Sequence, residues 1–287
     1  MAGPASTSKV APTRLRQVAL VAKNLDETRR LMTKIFGVDV IYEDPLVAKW
    51  GLKNFLLPLG GEIIEVCSPF QPGTTAGRLI NKRGGDGGYM IIMQTGDASA
   101  RRNYIESNKL GRVIWTHDSD HSVAVQYHPK GVKGGVIPEL DSHTPTKEHP
   151  NPVTERFSPW HALGPIKNYP QHLEAMKNAS ALKLVGVVCR LEAGDVDAEA
   201  ASRQWEELFG VGRVRDLVGF TNARLGFVRG LPGQQEGIHS ITVGVEGKER
   251  MEKILAAARE EGLCGDGYFT MCGIRWYLTD TGSPKKV

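Results

Sequence analysis

The chain has 287 residues, with 36 Lys+Arg against 32 Asp+Glu and 40% hydrophobic residues, enough for one large domain or two of ordinary size. Its formal charge of +4 is dispersed, which speaks against a nucleic-acid partner, and no apolar run approaches the ~20 residues of a membrane span. Four scattered cysteines, Cys67, Cys189, Cys264 and Cys272, form no CxxC pair, so a disulfide framework is not expected and a reducing, cytoplasmic setting fits.

Residues 1–14 (MAGPASTSKVAPTR) lack the apolar core of a secretory signal and read as a disordered tail, although their acid-free composition also resembles a transit peptide. A β-rich run follows at 16–21, then a helix over Leu25–Phe36, with Asn24 or Asp26 as cap and Gly37 as stop. Apolar runs at 38–42, 54–59 and 61–67 complete a βαβββ unit, with Glu62 expected at a turn outside the sheet's working face. The same order returns at 89–95, with a helix over Ser99–Lys109 and strands near 112–116, 122–128 and 135–140. Glycine-rich GGDGG (84–88) and GVKGG (131–135) do not lead from a strand into a phosphate-gripping helix and read as tight turns.

Residues 141–181 are rich in Pro, His, Asn and Ser, and a loop of that length reads best as a connection between domains. Its Trp160, Leu163, Ile166, Tyr169, Leu173 and Met176 predict that much of it packs on a surface, while His143, His149, His161 and His172 read as surface residues. A third unit begins at 183–191 with a helix over Ala198–Phe209, and its Phe209-Gly210-Val211 mirrors Phe36-Gly37-Val38. A fourth begins at 237–245, has a helix over Lys248–Glu261 and ends in 273–279. Four βαβββ units in two pairs is the simplest account, an α+β fold.

The segments QVALVAKNLDETRRLMTKIFGV (17–38), EVCSPF (65–70), GGYMII (87–92) and YHPKGVKGGVIPELDS (127–142) resemble the vicinal oxygen chelate superfamily of glyoxalases, bleomycin-resistance proteins and extradiol dioxygenases. Within it, the first pair of units resembles methylmalonyl-CoA epimerase. The resemblance implies a tail at 1–14, a metal-binding glyoxalase-like domain at 15–142, a partly ordered linker at 143–181 and a degenerate second such domain at 182–281. It further implies a divalent metal held by Gln17, Glu65 and Glu139 in the first cup. The family's usual His is replaced by Met90, so Tyr89, His121 or water is left to complete the shell.

Physical chemistry runs the same way. Two carboxylates facing one cavity repel each other unless a cation or a proton lies between them. A hard oxygen set favours Mg²⁺, Mn²⁺ or Ca²⁺, with Fe, Co and Zn left open. The second pair offers only Leu184, Phe227, Ser240 and Tyr277 at the matching places, which cannot hold a hard cation together. The expectation is therefore a metal-dependent isomerase or lyase acting on a small oxygenated substrate, with Glu139 or Glu65 as the catalytic base and Met90, Tyr89 and His121 against the substrate. Neither nucleic acid nor membrane is expected as a partner, and pairing of two copies into a homodimer is left open. Two rivals stand beside it: a metal-free binding protein, which Met90 favours, and a ring-cleaving dioxygenase, which a shortage of ligand-placed histidines disfavours.

Overall fold

The computed structural model describes residues 12–282; the start of the predicted tail and the basic 283–287 lie outside them. Arg14, read as the tail's last residue, opens the first strand and is buried. In chain order the elements are β1 (Arg14–Val21), α1 (Leu25–Phe36), β2 (Leu52–Leu59), β3 (Glu62–Pro69), α2 (Thr75–Arg83), β4 (Gly87–Gln94), α3 (Ala98–Ser107), β5 (Val113–Asp118), β6 (Ser122–Tyr127) and β7 (Ile137–His143). There follow α4 (Tyr169–Asn178), β8 (Leu182–Ala193), α5 (Ala198–Phe209), β9 (Gly212–Val214), β10 (Leu217–Gly219), β11 (Arg224–Gly230), β12 (Gly237–Val245), α6 (Lys248–Glu260), β13 (Phe269–Met271) and β14 (Ile274–Asp280).

Two seven-stranded sheets result, ordered β2-β3-β1-β4-β7-β6-β5 and β13-β14-β12-β8-β11-β10-β9. The expected α+β fold of four units paired into two sheets is thus observed. Each sheet has an antiparallel seam, β1 with β4 and β8 with β12, flanked by parallel pairs that enclose a helix-bearing crossover. Among the described residues no helix is long and apolar enough to cross a membrane.

Helix α1 shows why the units form. Leu25, Thr28, Met32, Ile35 and Phe36 recur at helical spacing and are buried, Asn24 accepts from the Glu27 amide at 3.1 Å, and Gly37 at φ 64° ends the helix. Strand parity then divides the first sheet. Ile91 and Met93 face the helices, and Met90 and Ile92 face the cup. The helix-side cluster runs on into the second half, where the Phe36 ring meets Trp276 edge-on at 5.3 Å and Tyr127 meets Phe209 at 5.6 Å.

Two expectations fail here. The run 38–42 is not a strand: only Tyr42 bridges Leu56, after which the Asp44 amide turns to Asn54 and Pro45 offers no N–H to continue the ladder. Glu62 is no exposed turn residue. The turn lies at Gly60-Gly61, and Glu62 opens β3 at 2% exposure, ion-paired to the equally buried Arg14 and accepting from the Leu184 amide.

Candidate functional site

The cup of the first sheet holds a cavity of about 890 Å³, lined by Gln17, Glu65, Tyr89, Met90, His121 and Glu139 together. Period-two alternation puts Gln17 and Ala19 of β1, Glu65 and Cys67 of β3, and Ile137, Glu139 and Asp141 of β7 on this one face. Met90 packs against Ala19, Ile92 and Trp160 in the cup's apolar lining. Tyr89 reaches the same side because the β1–β4 register steps from Met90–Ala19 to Gly88–Leu20, leaving it as a bulge residue. His121 stands exposed in the turn between β5 and β6, its carbonyl accepting from Thr144 at 2.9 Å.

The six residues do not share one set of partners. Gln17 donates to Glu65 at 2.8 Å, and its own amide oxygen accepts from the Trp160 indole at 2.7 Å. Glu65 accepts also from Asn54 at 2.6 Å and from the Cys67 thiol at 3.2 Å. Burial pushes the Glu65 carboxyl up, and these three donors offset part of that rise. This corner satisfies itself with hydrogen bonds.

The other corner does not. Glu139 accepts from Gln126 at 2.6 Å and faces Asp141, two residues along β7. Ligand atoms of Glu139, Asp141 and His161 lie within 4.8 Å of one another, a geometry that could hold a metal ion. Asp141 is fully buried and neither of its oxygens makes a well-formed hydrogen bond; the nearby Val125 amide offsets its burial only in part. His161 Nδ1 also lacks a hydrogen-bond partner and stands 3.7 Å from Asp141 Oδ2. Burial, followed by the facing Glu139 charge, holds the Asp141 carboxyl well above the usual range. Burial likewise pushes Glu139 up to about 7, with a further contribution from Glu65, and pushes His161 down to about 4. Two facing carboxyls with unfilled acceptor positions and a neutral imidazole are the chemistry of a cation site, or of a shared proton.

Sequence reasoning placed neither Asp141 nor His161 here, and it read His143, His161 and His172 as surface residues. His143 and His172 are buried, at 8% exposure each. His143 Nε2 accepts from the His161 amide at 3.0 Å and its Nδ1 meets Gln94 at 3.3 Å, which fixes the backbone that carries His161. The segment after β7 does not merely cross a surface: Trp160, Leu163, Tyr169 and Met176 close over Ala19, Leu56, Ile63 and Ile137 of the cup.

The second sheet provides an internal contrast. In the first sheet Gln17 pairs with Ile92 and Ile92 with Glu139, while Ala19 pairs with Glu65 and Met90. The same steps in the second sheet run from Gly186 to Thr242 to Tyr277, and from Val188 to Gly226 and Ser240. Ser240 and Tyr277 match as expected, but Gly186 and Gly226 replace the expected Leu184 and Phe227, which belong to the helix-side core. Gly186, Gly226, Ser240 and Tyr277 supply no carboxylate.

These ionisations set a pH dependence of stability. Glu139 titrates near 7 in the fold against an ordinary 4.5, so its contribution is fully present below 4.5 and is lost as pH rises through 7. His161, near 4 against 6.5, acts oppositely: its contribution is present above 6.5 and is lost as pH falls toward 4. The two oppose each other between 4.5 and 6.5, and above that the buried carboxyls Glu139, Asp141 and Glu65, all raised, lead the change. Thermal unfolding in a chelator is expected to show a midpoint that falls from pH 6.5 to 9, and saturating Mn²⁺ is expected to remove most of that fall.

No protein-family model and no curated protein matches the sequence. A hypothetical protein from Staphylococcus aureus superposes over 93% of this chain and 99% of its own, at TM-score 0.59 and 10% identity; it shares the whole two-sheet fold. Methylmalonyl-CoA epimerase from Mycobacterium tuberculosis covers 48% of this chain and 93% of its own, at TM-score 0.41 and 21% identity. A Streptomyces coelicolor epimerase variant in complex with 2-nitronate-propionyl-CoA covers 46% and 98%, at TM-score 0.41 and 20% identity. These two matches span about half of this chain.

Proposed function

We propose that the chain is a metal-assisted enzyme of the vicinal oxygen chelate superfamily that moves a proton on an oxygenated small molecule, as an isomerase or lyase does. One observation carries the reading: Glu139, Asp141 and His161 converge within 4.8 Å, Glu139 and His161 lining the cavity and Asp141 fully buried beside them, with both Asp141 oxygens and His161 Nδ1 lacking a well-formed hydrogen bond. Buried polar atoms are rarely left without partners, and a divalent cation satisfies all three residues at once. The proposed ligands therefore shift from Gln17, Glu65 and Glu139 to Glu139, Asp141 and His161, because Gln17 and Glu65 are already engaged by Trp160, Asn54 and Cys67. Two carboxylates and one imidazole suit Mn²⁺, Mg²⁺, Fe²⁺, Co²⁺ or Zn²⁺. When bound there, such an ion supplies Lewis acidity toward the substrate's oxygens.

The chain's own residues do the rest. Glu139, whose carboxyl burial pushes up to about 7 before any ion binds, is the group placed to accept and return the substrate's proton. Gln126 fixes one of its oxygens. Glu65, oriented by Gln17 and Asn54, presents a second carboxylate to the same cavity, suited to a proton on the substrate's other face. Trp160 and Leu163 exclude water above them.

Screening metal-reconstituted protein against epimerase, lyase and dioxygenase substrates tests the reading. Metal-dependent solvent-deuterium incorporation without oxygen consumption is expected; oxygen uptake would turn the assignment to a dioxygenase. A metal-free binding protein is the second reading, and the self-satisfied Gln17–Glu65–Asn54 corner favours it. A chain that binds ligands but neither metal nor substrate proton exchange would fit that reading instead.

A further inference from the structure

The cavity's mouth is unlike its floor. Four large apolar side chains stand exposed along it, Leu46 at 65%, Ile166 at 46%, Trp50 at 41% and Ile114 at 40%. They come from three separate segments: the 3-10 turn Pro45–Trp50, strand β5, and the segment between β7 and α4. Trp50 meets Trp115 edge-on at 5.7 Å, and Trp115 stacks on His117 at 6.1 Å. Lys49 Nζ lies 4.2 Å from the Trp50 ring centroid and 5.4 Å from that of Trp115. Arg78, on the same wall, donates to the Gly73 carbonyl and the Thr75 hydroxyl. Neither Lys49 nor Arg78 is in an ion pair among the described residues; the mouth carboxylate Asp44 accepts from the Leu46 amide and feels the Lys49 charge without pairing with it.

Exposed apolar side chains gathered from separate segments around a deep pocket mark a surface that another molecule covers. About 890 Å³ lies toward the upper end of the ~300–1,000 Å³ range of pockets that enclose drug-sized ligands. A four- or five-carbon acid reaching the carboxylate floor would leave most of that space, and the whole aromatic rim, untouched.

We propose that the mouth is a substrate subsite for a planar, apolar body of fused or linked rings bearing one anionic substituent. The body lies against Trp50, Trp115, Leu46 and Ile166, the anion meets Lys49 and Arg78, and an oxygenated end reaches Glu139. This deepens the functional reading above and rests on it for the direction in which the ligand points. A ring placed against Trp50 and Trp115 completes an aromatic cluster that already carries a cation. Continuity of the rim with the floor selects a small molecule over a protein surface, because a flat partner would leave the cavity beneath it empty.

The probe is 1-anilinonaphthalene-8-sulfonate, which has a ring body and one anion, titrated by fluorescence into the full chain. One saturable site per chain is expected. Trp50→Ala with Trp115→Ala should weaken it by about tenfold or more, and Lys49→Met should weaken it while leaving neutral N-phenylnaphthylamine unchanged. These residues are exposed or half-exposed, so thermal midpoints should hold. Mn²⁺ titrations on the same proteins separate the two claims. Loss of Mn²⁺ binding in the wild type with the dye site intact would sink the functional reading alone. Mn²⁺ binding without a saturable dye site, or dye binding indifferent to all three substitutions, would overturn the subsite. A wild-type dimer dissociated by Trp50→Ala would also overturn it and make the mouth an interface between copies.

Discussion

Glu139→Gln protein is expected to fold normally and to lose at least about 10²–10⁴-fold in turnover, the loss that follows removal of a positioned general base. Glutamine keeps an oxygen for the 2.6 Å contact with Gln126, and its amide can donate to the facing Asp141, whose oxygens make no well-formed hydrogen bond. The substitution removes one of two carboxyls that burial keeps protonated above their ordinary range, with the Glu65 charge adding to Glu139's rise and the Glu139 charge adding to Asp141's. Metal-free Glu139→Gln should therefore melt higher than the wild type at pH 8 while its activity collapses. A stabilised, inactive variant is the mark of a group held in a costly environment for its chemistry. If activity survives, Glu139 is neither base nor ligand, and the proton passes to another cavity group such as Glu65.

Breaking the Arg14–Glu62 pair is expected to do the reverse. Both side chains are 3% exposed, and Arg14 also donates to the carbonyls of Glu155 and Arg156. Glu62→Ala leaves that guanidinium buried without its anion, and removing one member of such a pair costs about 3–5 kcal/mol. Denaturant unfolding should show a large fall in midpoint with metal affinity unchanged in the fraction that remains folded. The double replacement Arg14→Met, Glu62→Leu should recover most of the loss, because it removes both buried charges together. Glu62 is therefore no neutral control for Glu139. One acid stabilises the fold, and the other is proposed to act in the reaction.

The sequence made the repeating units legible because their signals are local. Asn24 and Gly37 bracket α1 within the chain's own hydrogen bonds, and apolar alternation in β1, β4 and β7 decides which side chains face the cup. The same alternation carries Glu139 on to Asp141, so Asp141 could have been read from PELDS alone. His161 could not. It reaches the cup from an irregular segment, held where His143 takes its amide, and no periodicity predicts that meeting. The run 38–42 alternates like a strand, but Asn54 captures the Asp44 amide and Pro45 stops the ladder, which only the folded neighbourhood reveals. Helix α2 is absent from the sequence reading: it is nine residues long, carries Gly77 and buries only Ala76 and Ile80. The Thr74 side chain, accepting from the Gly77 amide at 2.9 Å, is what starts it.

The most direct test of the central claim is calorimetric titration of chelator-stripped full-length protein with Mn²⁺, wild type beside Asp141→Asn. Asparagine preserves shape and one oxygen but removes the charge from the most buried of the three proposed ligands. The account predicts one Mn²⁺ per wild-type chain, with affinity lowered by at least about 10–100-fold in the variant, since even outer-shell losses reach that range. Absence of Mn²⁺ binding by the wild type, or equal affinity in both proteins, would contradict it.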